Sequence, residues 1–149
     1  MSREYPDKPL VGVGAVIVQD NRVLLIRRGQ APLLGEWSLP GGVLECGETL
    51  RGATTREARE ETGLVVEPGE MLGVYERIIR DEGRSDDGRV RYHYVLIDFL
   101  CRPVGGELKA GSDAAEVRWF RREELPALKL AKDTNEVVLK GMARSTSAD

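Results

Sequence analysis

The feature that most constrains this chain is a helical segment whose inward side carries acids. Residues 49–62 contain no proline, Thr49 can cap the start of a helix, and Gly63 is a typical end, so the segment predicts a helix. Residues spaced by three or four share one side of a helix, and the stripe that begins at Leu50 should therefore be apolar. Three positions of that stripe are instead Glu57, Glu60 and Glu61.

Clustered carboxylates on a buried side need a positive partner, because burial and mutual repulsion both disfavour the charged form. Arg56 and Arg59 project to a different side of the helix, so we expect each to satisfy at most one acid. A hard divalent cation, Mg²⁺ or Mn²⁺, suits the remaining oxygens and keeps positions open for a phosphorylated substrate. The alternative is a solvated, acidic helix end.

The other segments predict a sheet with helices on its faces. Leu10 to Gln19 is rich in β-branched residues, and residues 23–26 follow directly after Asp20 and Asn21, which predicts a hairpin. A short strand is expected at residues 37–39, before a glycine loop. Later strands are expected at residues 65–66, 72–79, 92–101 and 117–120, and later helices at residues 123–125 and 134–143. This order is typical of an α/β domain with a mixed sheet. Residues 81–89 are polar and predict a mobile loop or a hairpin tip.

Composition excludes several classes of protein. The 149 residues have the length of one domain, which we expect to span residues 1–149 with flexible ends at residues 1–8 and 145–149. No apolar run approaches the roughly 18 residues of a membrane span, and no apolar leader is visible, so we expect a cytoplasmic protein without membrane contact. A net charge of −3 argues against bulk nucleic-acid binding. Two separated cysteines and one histidine make a disulfide scaffold or a zinc fold a poor match.

The loop before the predicted helix adds a second constraint. Gly41 and Gly42 permit close backbone approach to a ligand, and Glu48 can pair with Arg56. Gly42, five residues, Glu48, seven residues and then the run REAREETGL that begins at Arg56 match every fixed position of the Nudix box. The sequence therefore resembles the Nudix hydrolase family. Looser similarity extends from the first predicted strand to residues 116–120.

The resemblance implies a Nudix α/β/α sandwich and metal-dependent hydrolysis of a nucleoside diphosphate linked to another moiety. It also implies roles for individual residues. Glu57, Glu60 and Glu61 would hold Mg²⁺ or Mn²⁺ together with the Gly41 carbonyl. Arg56 and Glu48 would keep the loop and the helix in register, with Gly42 and Gly63 as structural support. The proton acceptor is either Glu57 or an acid of a later loop, for which Asp113 is the candidate; Asp113 is otherwise a turn or cap residue.

Substrate preference is less well determined by these motifs. Arg27 and Arg28 end a strand, and only one of two adjacent residues can face the site. We predict that Arg28 binds a substrate phosphate; the alternative is that it is exposed to solvent. The residues after the box lack the proline that marks many ADP-ribose hydrolases. General similarity is to small bacterial proteins of the ADP-ribose pyrophosphatase or mutator type. We expect a nucleotide sugar such as ADP-ribose as substrate.

Three alternatives stay open at this point. The first is a pyrophosphohydrolase of oxidised nucleoside triphosphates, which would release pyrophosphate. The second is a Nudix module that binds a nucleotide without cleaving it, although such modules usually lose box acids and this chain keeps them all. The third is a purely structural acidic helix. In each enzymatic case the partner is a small nucleotide, and a homodimer is compatible with the resemblance.

Overall fold

A computed structural model describes residues 3–30, 33–81 and 88–147. In these ranges the strands are β1 (Leu10–Gln19), β2 (Arg22–Arg28), β3 (Trp37–Ser38), β4 (Gly41–Val43), β5 (Leu64–Arg80), β6 (Val90–Gly106) and β7 (Ala114–Arg121). The helices are α1 (Leu50–Thr62) and α2 (Lys132–Ser147), and a 3₁₀ helix covers Arg122–Leu128. No helix in the described ranges is long and apolar enough to cross a membrane.

Strand β1 is the centre of a mixed sheet. It runs parallel to β6 and antiparallel to both β2 and β4. Strand β5 pairs with β6, and both β3 and β7 pair with β2, which completes the sheet. The predicted hairpin between β1 and β2 is confirmed, and its two turn residues, Asp20 and Asn21, both have a positive φ, as a tight hairpin turn requires.

The alternation of side chains along β1 builds two core layers. Val16 and Val18 pack with Val137 and Val138 of α2, whereas Ala15 and Ile17 pack on the other face with Ala58 of α1. Full burial of one such aliphatic side chain stabilises the fold by about 1.5–3 kcal/mol. The helices therefore cover opposite faces of the sheet, which confirms the predicted mixed α/β sandwich.

Two strands differ from the sequence prediction. Gly41–Val43 was expected to be loop but forms β4, because its backbone pairs with Gly12–Gly14 of β1. The separate strands expected at residues 65–66 and 72–79 are one continuous strand, β5. Pro68 is tolerated there because β5 lies at the edge of the sheet, and register shifts on both sides of Met71 absorb the irregular sequence.

Helix α2 is longer than the sequence predicts. Helix α2 continues to Ser147, beyond the expected end at residue 143, because no proline or glycine interrupts the chain after Gly141. Near the start of the chain, the Tyr5 backbone N–H donates to the Arg91 carbonyl at 2.7 Å. Most of the predicted polar break, residues 82–87, lies outside the described residues.

Helix α1 has the two ends that the sequence predicts. The Thr49 side chain accepts a hydrogen bond from the Gly52 backbone N–H at 2.9 Å, and Gly63 ends the helix with φ +79°. A Cβ on Gly63 would overlap the carbonyl oxygen of Glu107 in the segment that follows β6. Gly63 therefore combines a left-handed backbone with a close approach between two chain segments.

We expect Gly63→Ala to lower the free energy of unfolding by more than Gly47→Ala. Both glycines have positive φ, so both substitutions carry a backbone cost of about 1–2 kcal/mol, but a Cβ at Gly47 meets nothing within 4 Å. Only Gly63→Ala adds the overlap with Glu107. Urea unfolding of the two variants measures the difference, and equal losses would show that the close approach relaxes without cost.

Candidate active site

A cavity of about 290 Å³ lies where β4 meets helix α1. It brings together most of the residues that the sequence analysis named. Its lining includes Arg28, Gly41, Gly42, Arg56, Glu57, Glu60, Glu61 and Asp113. Glu48 and Gly63 do not line it; Glu48 bonds to Arg56 outside the cavity, and Gly63 ends the helix.

Arg56 is the hub of the acidic cluster. Its Nε and Nη2 donate to the two oxygens of Glu48 at 2.6 and 2.9 Å, and Nη2 also donates to the Val43 carbonyl at 3.3 Å. Its Nη1 donates to Glu57 at 2.8 Å and to Glu60 at 3.3 Å. The expectation that Arg56 satisfies at most one acid is therefore wrong. A planar guanidinium has five N–H donors and can serve several carboxylates at once.

Glu57 is wedged between Arg56 and the glycine strand. A Cβ on Gly42 would overlap the Glu57 carboxylate, so only glycine leaves room for this side chain. Burial raises the pKa of Glu57, and the bond from Arg56 opposes that rise. The carboxylate is thus held at the cavity wall, close to the loop backbone.

Glu61 is the most buried acid of the helix, with 4% of its surface exposed. One of its carboxylate oxygens accepts a hydrogen bond from the Gly41 backbone N–H at 2.6 Å. Burial raises the pKa of Glu61 to about 8, and the charges of Glu57 and Asp113 act in the same direction. The bond from Gly41 and the charge of Arg28 oppose this rise, and a cation bound beside Glu61 would oppose it further.

The inward stripe of α1 is turned slightly from the predicted one. Ala53, Ala58 and Glu61 are buried, whereas the Glu60 side chain is 47% exposed. Small residues at the first two positions let the helix lie close to the sheet. The prediction of a buried acid is confirmed for Glu61, and Glu60 lies at the mouth of the cavity instead.

In the described ranges, no three acidic, histidine or cysteine side chains already converge on one point as a metal cage would. The carboxylates are directed elsewhere, since Glu57 and Glu60 accept hydrogen bonds from Arg56 and Glu61 accepts one from Gly41. All three carboxylates nevertheless line one cavity. Hard oxygen donors of this kind suit Mg²⁺ or Mn²⁺.

The two arginines at the end of β2 separate as their alternation predicts. Arg27 pairs with Glu116 at 3.3 Å, whereas Arg28 lines the cavity. Asp113 also lines the cavity, and it lies in a turn in which the Ala114 N–H donates to the Gly111 carbonyl at 3.1 Å. A turn position and a place in the site are therefore compatible for Asp113.

Sequence reasoning missed one buried acid of the cavity. Asp98 lies on β6 with 6% of its surface exposed. Burial raises the pKa of Asp98 to about 7; the charge of Asp133 adds to this rise and Arg77 opposes it. The available signal was a single acid within an otherwise apolar strand run, Val95 to Cys101.

The fold is that of a Nudix protein. Residues 8–140 match the NUDIX domain family, and this chain belongs to that family. It is a Nudix hydrolase, with helix α1 and its preceding loop as the Nudix box.

Individual relatives are similar over most of the chain. An ADP-ribose pyrophosphatase of Methanocaldococcus jannaschii is 43% identical over 130 residues, which are 87% of this chain and 71% of that protein. An 8-oxo-dGDP phosphatase of Mus musculus is 36% identical over 124 residues, which are 80% of this chain and 34% of that protein. The crystal structure of a NUDIX hydrolase from Nitrosomonas europaea matches with a TM-score of 0.74 at 27% identity, covering 97% of this chain and 76% of that one.

We expect Arg56→Lys to lower the free energy of unfolding by about 1–3 kcal/mol. The lysine ammonium cannot bond to Glu48 and Glu57 in the way that the planar guanidinium does, so partly buried carboxylate oxygens lose their donors. Arg102→Lys is the matched control, since Arg102 forms an exposed pair with Glu67 at 3.0 Å. The control should change stability by less than about 0.5 kcal/mol. Urea unfolding of both variants tests this. Equal losses of stability would contradict the role of Arg56 as the group that holds the acids together.

We expect Asp98→Asn to change how stability depends on pH. The folded protein keeps the Asp98 proton up to about pH 7, whereas the unfolded chain loses it near the ordinary value of 3.8, so stability falls as pH rises through this window. The asparagine variant lacks this loss, and its stability relative to the parent should grow by about 4 kcal/mol between about pH 4 and pH 8. Urea unfolding at both pH values measures the change; a constant difference would refute it.

Proposed function

We propose that this protein hydrolyses the diphosphate bond of a nucleoside diphosphate linked to another moiety, with a nucleotide sugar such as ADP-ribose as the favoured substrate. The observation that carries the proposal is the cavity that Glu57, Glu60 and Glu61 share with Arg28. The 43% identity to a protein named ADP-ribose pyrophosphatase supports the substrate class. The proposal also takes residues 1–149 as one domain.

The donor set fits a hard divalent cation. The Glu61 carboxyl lies near Glu57 and Asp113, and burial is the main cause of its raised pKa, so a cation bound beside it would favour its charged form. Glu57, Glu60, Glu61 and the Gly41 carbonyl would hold Mg²⁺ or Mn²⁺. When bound, such a cation neutralises phosphate charge and lowers the pKa of a coordinated water.

The chain's own residues position and activate the reactants. Arg56 holds Glu57 in place and ties it to Glu48, so the carboxylates meet the substrate in a fixed arrangement. Arg28 binds a phosphate oxygen and offsets its negative charge. Gly42 leaves room for the Glu57 carboxylate beside the β4 backbone.

The chemical step is an attack of water on phosphorus. The water oxygen forms a new bond to one phosphorus atom, the bridging oxygen leaves with the other phosphate, and a carboxylate accepts the proton of the water. Glu57 and Asp113 are the candidate acceptors, because both line the cavity. The products are two monophosphates.

A second candidate activity has one specific observation in its favour. The 36% identity to an 8-oxo-dGDP phosphatase supports hydrolysis of an oxidised nucleotide by the same carboxylates. A nucleotide-binding module without turnover is a weaker alternative, because every box acid is kept. We also propose a cytoplasmic location, which two free cysteines, Cys46 and Cys101, support. A homodimer stays a prediction.

Product analysis tests the proposal. The panel contains ADP-ribose, other nucleotide sugars, dinucleoside polyphosphates, and normal and oxidised nucleoside di- and triphosphates, each with Mg²⁺, Mn²⁺ or a chelator. We expect metal-dependent cleavage of ADP-ribose to AMP and ribose 5-phosphate. Glu61→Gln should lower kcat by roughly 10² or more, since it removes a charged oxygen ligand.

Glu67→Gln is the matched control, because Glu67 is an exposed acid paired with Arg102 outside the cavity. It should keep the parent activity. Release of phosphate or pyrophosphate from oxidised nucleotides with no cleavage of ADP-ribose would favour the second activity. If the parent and Glu67→Gln are both folded and neither cleaves any compound of the panel, the enzymatic proposal is contradicted.

A further inference from the structure

The second half of strand β5 forms an uncovered edge of the sheet. In the described ranges β5 is the last strand of the sheet, so one side of its backbone has no neighbouring strand. Side chains of α1 and α2 donate hydrogen bonds to the carbonyls of Val66, Pro68 and Leu72 in the first half of the strand. In the same ranges, no side chain donates to a carbonyl of residues 74–80, which we call the open edge.

The open edge is also the regular part of β5. Register shifts interrupt the pairing with β6 at three points before Gly73, whereas residues 73–79 pair one to one with β6. The shift after Ile79 places the extra residue in β6, so β5 itself stays regular to Arg80. Bulges and proline protect an edge strand from pairing with another chain. In β5 these features, with Pro68, lie in the first half, and the open edge is left without them.

The side chains of the open edge form an exposed row of apolar and charged residues. Val74 pairs with Ile97, which packs on the α1 face of the sheet, and residues that alternate with Val74 share that face. They are Glu76, Ile78 and Arg80. Val74 and Ile78 are 56% and 44% exposed, so α1 does not cover them. A regular edge with exposed aliphatic side chains is a template for a further strand.

The charges of the open edge are complementary to those of a second copy. When two copies pair antiparallel about a two-fold axis at Ile78, Glu76 of each lies opposite Arg80 of the other. The two Ile78 side chains then lie opposite each other. Opposite charges across a strand pair are stabilising and like charges are destabilising. An axis at Glu76 would oppose two acids, and an axis at Arg77 would oppose two arginines, so the charges favour the axis at Ile78.

The same two charges cannot satisfy each other within one chain. Glu76 and Arg80 are four residues apart on an extended strand, which is about 13 Å. Glu76 makes no ion pair with any residue that the structure describes. Arg80 donates from Nη1 to the Gly88 carbonyl at 2.8 Å, which holds the side chain near the end of the strand and leaves its other donors for a carboxylate.

We propose that the open edge is the interface of a homodimer, in which two β5 strands pair antiparallel about a two-fold axis at Ile78. The two sheets then become one continuous sheet. Each copy contributes a single open edge, and the two-fold pairing uses both, so the assembly closes at two chains. The inference gives the expected homodimer a defined surface, and it does not depend on the proposed hydrolytic activity.

Sedimentation equilibrium of the full chain, with charge variants, tests the interface. The parent should form a dimer of two 16.5 kDa chains. Glu76→Arg and Arg80→Glu should each raise the dimer dissociation constant roughly tenfold or more, because each places like charges opposite one another twice. The double variant exchanges the two charges and should restore the parent value. Glu67→Arg is the matched control, since this exposed acid lies in the first half of β5 and should leave the constant unchanged.

Disulfide cross-linking tests the register. Directly opposed residues of antiparallel strands have Cα atoms about 4.5–5.5 Å apart, which a disulfide can span. In a Cys46→Ser background, which removes the exposed native thiol, Ile78→Cys should therefore link two chains after treatment with diamide. Val74→Cys is the control, because the two copies of residue 74 would be about 27 Å apart in this register.

Circular dichroism and urea unfolding first confirm that each variant is folded. A parent that is monomeric throughout the concentration range would overturn the inference. A dimer that Glu76→Arg and Arg80→Glu do not weaken would also overturn it, as would failure of the double variant to restore the parent constant. Cross-linking at residue 74 equal to that at residue 78 would overturn the register. Because none of these measurements involves turnover, their failure leaves the proposed function untouched.

Discussion

The bidentate pair between Arg56 and Glu48 is the interaction on which the site depends. It joins the loop after β4 to the second turn of α1, and the same guanidinium reaches the carbonyl of Val43 and the carboxylate of Glu57. Loop, strand and helix are thus fixed to one planar group. Without this fork, no positive group would offset the repulsion between the Glu48 and Glu57 carboxylates.

The order of elements could be predicted well from local patterns. The hairpin of β1 and β2 followed from β-branched runs around Asp20 and Asn21, and α1 followed from its cap and its terminal glycine. The short strand β4 could not be predicted, because glycine has low strand propensity and this segment is a strand only through its pairing with β1. Tertiary contacts decided its structure.

The acids of the box illustrate the same limit at the level of side chains. Their clustering on one helix was evident from spacing, but spacing alone placed Glu57, Glu60 and Glu61 on one equally buried stripe. The structure separates them by depth, because Ala58 takes the inward position and leaves Glu60 at the mouth. Asp98 escaped prediction for another reason: its partners in space, Gly14 and Asp133, are remote in sequence.

Strand β4, with only three residues, has a consequence for how such a protein can diversify. It lies between the carboxylates of α1 and the α2 face of the sheet, so the two ends of the cavity are built on different layers of the core. Cavity residues on the α2 side, such as Asp133 and Thr134, are therefore separate from the layer that carries Glu57 and Glu61. In a sandwich of this kind, one end of the cavity can change in sequence without a change in the core layer behind the other end.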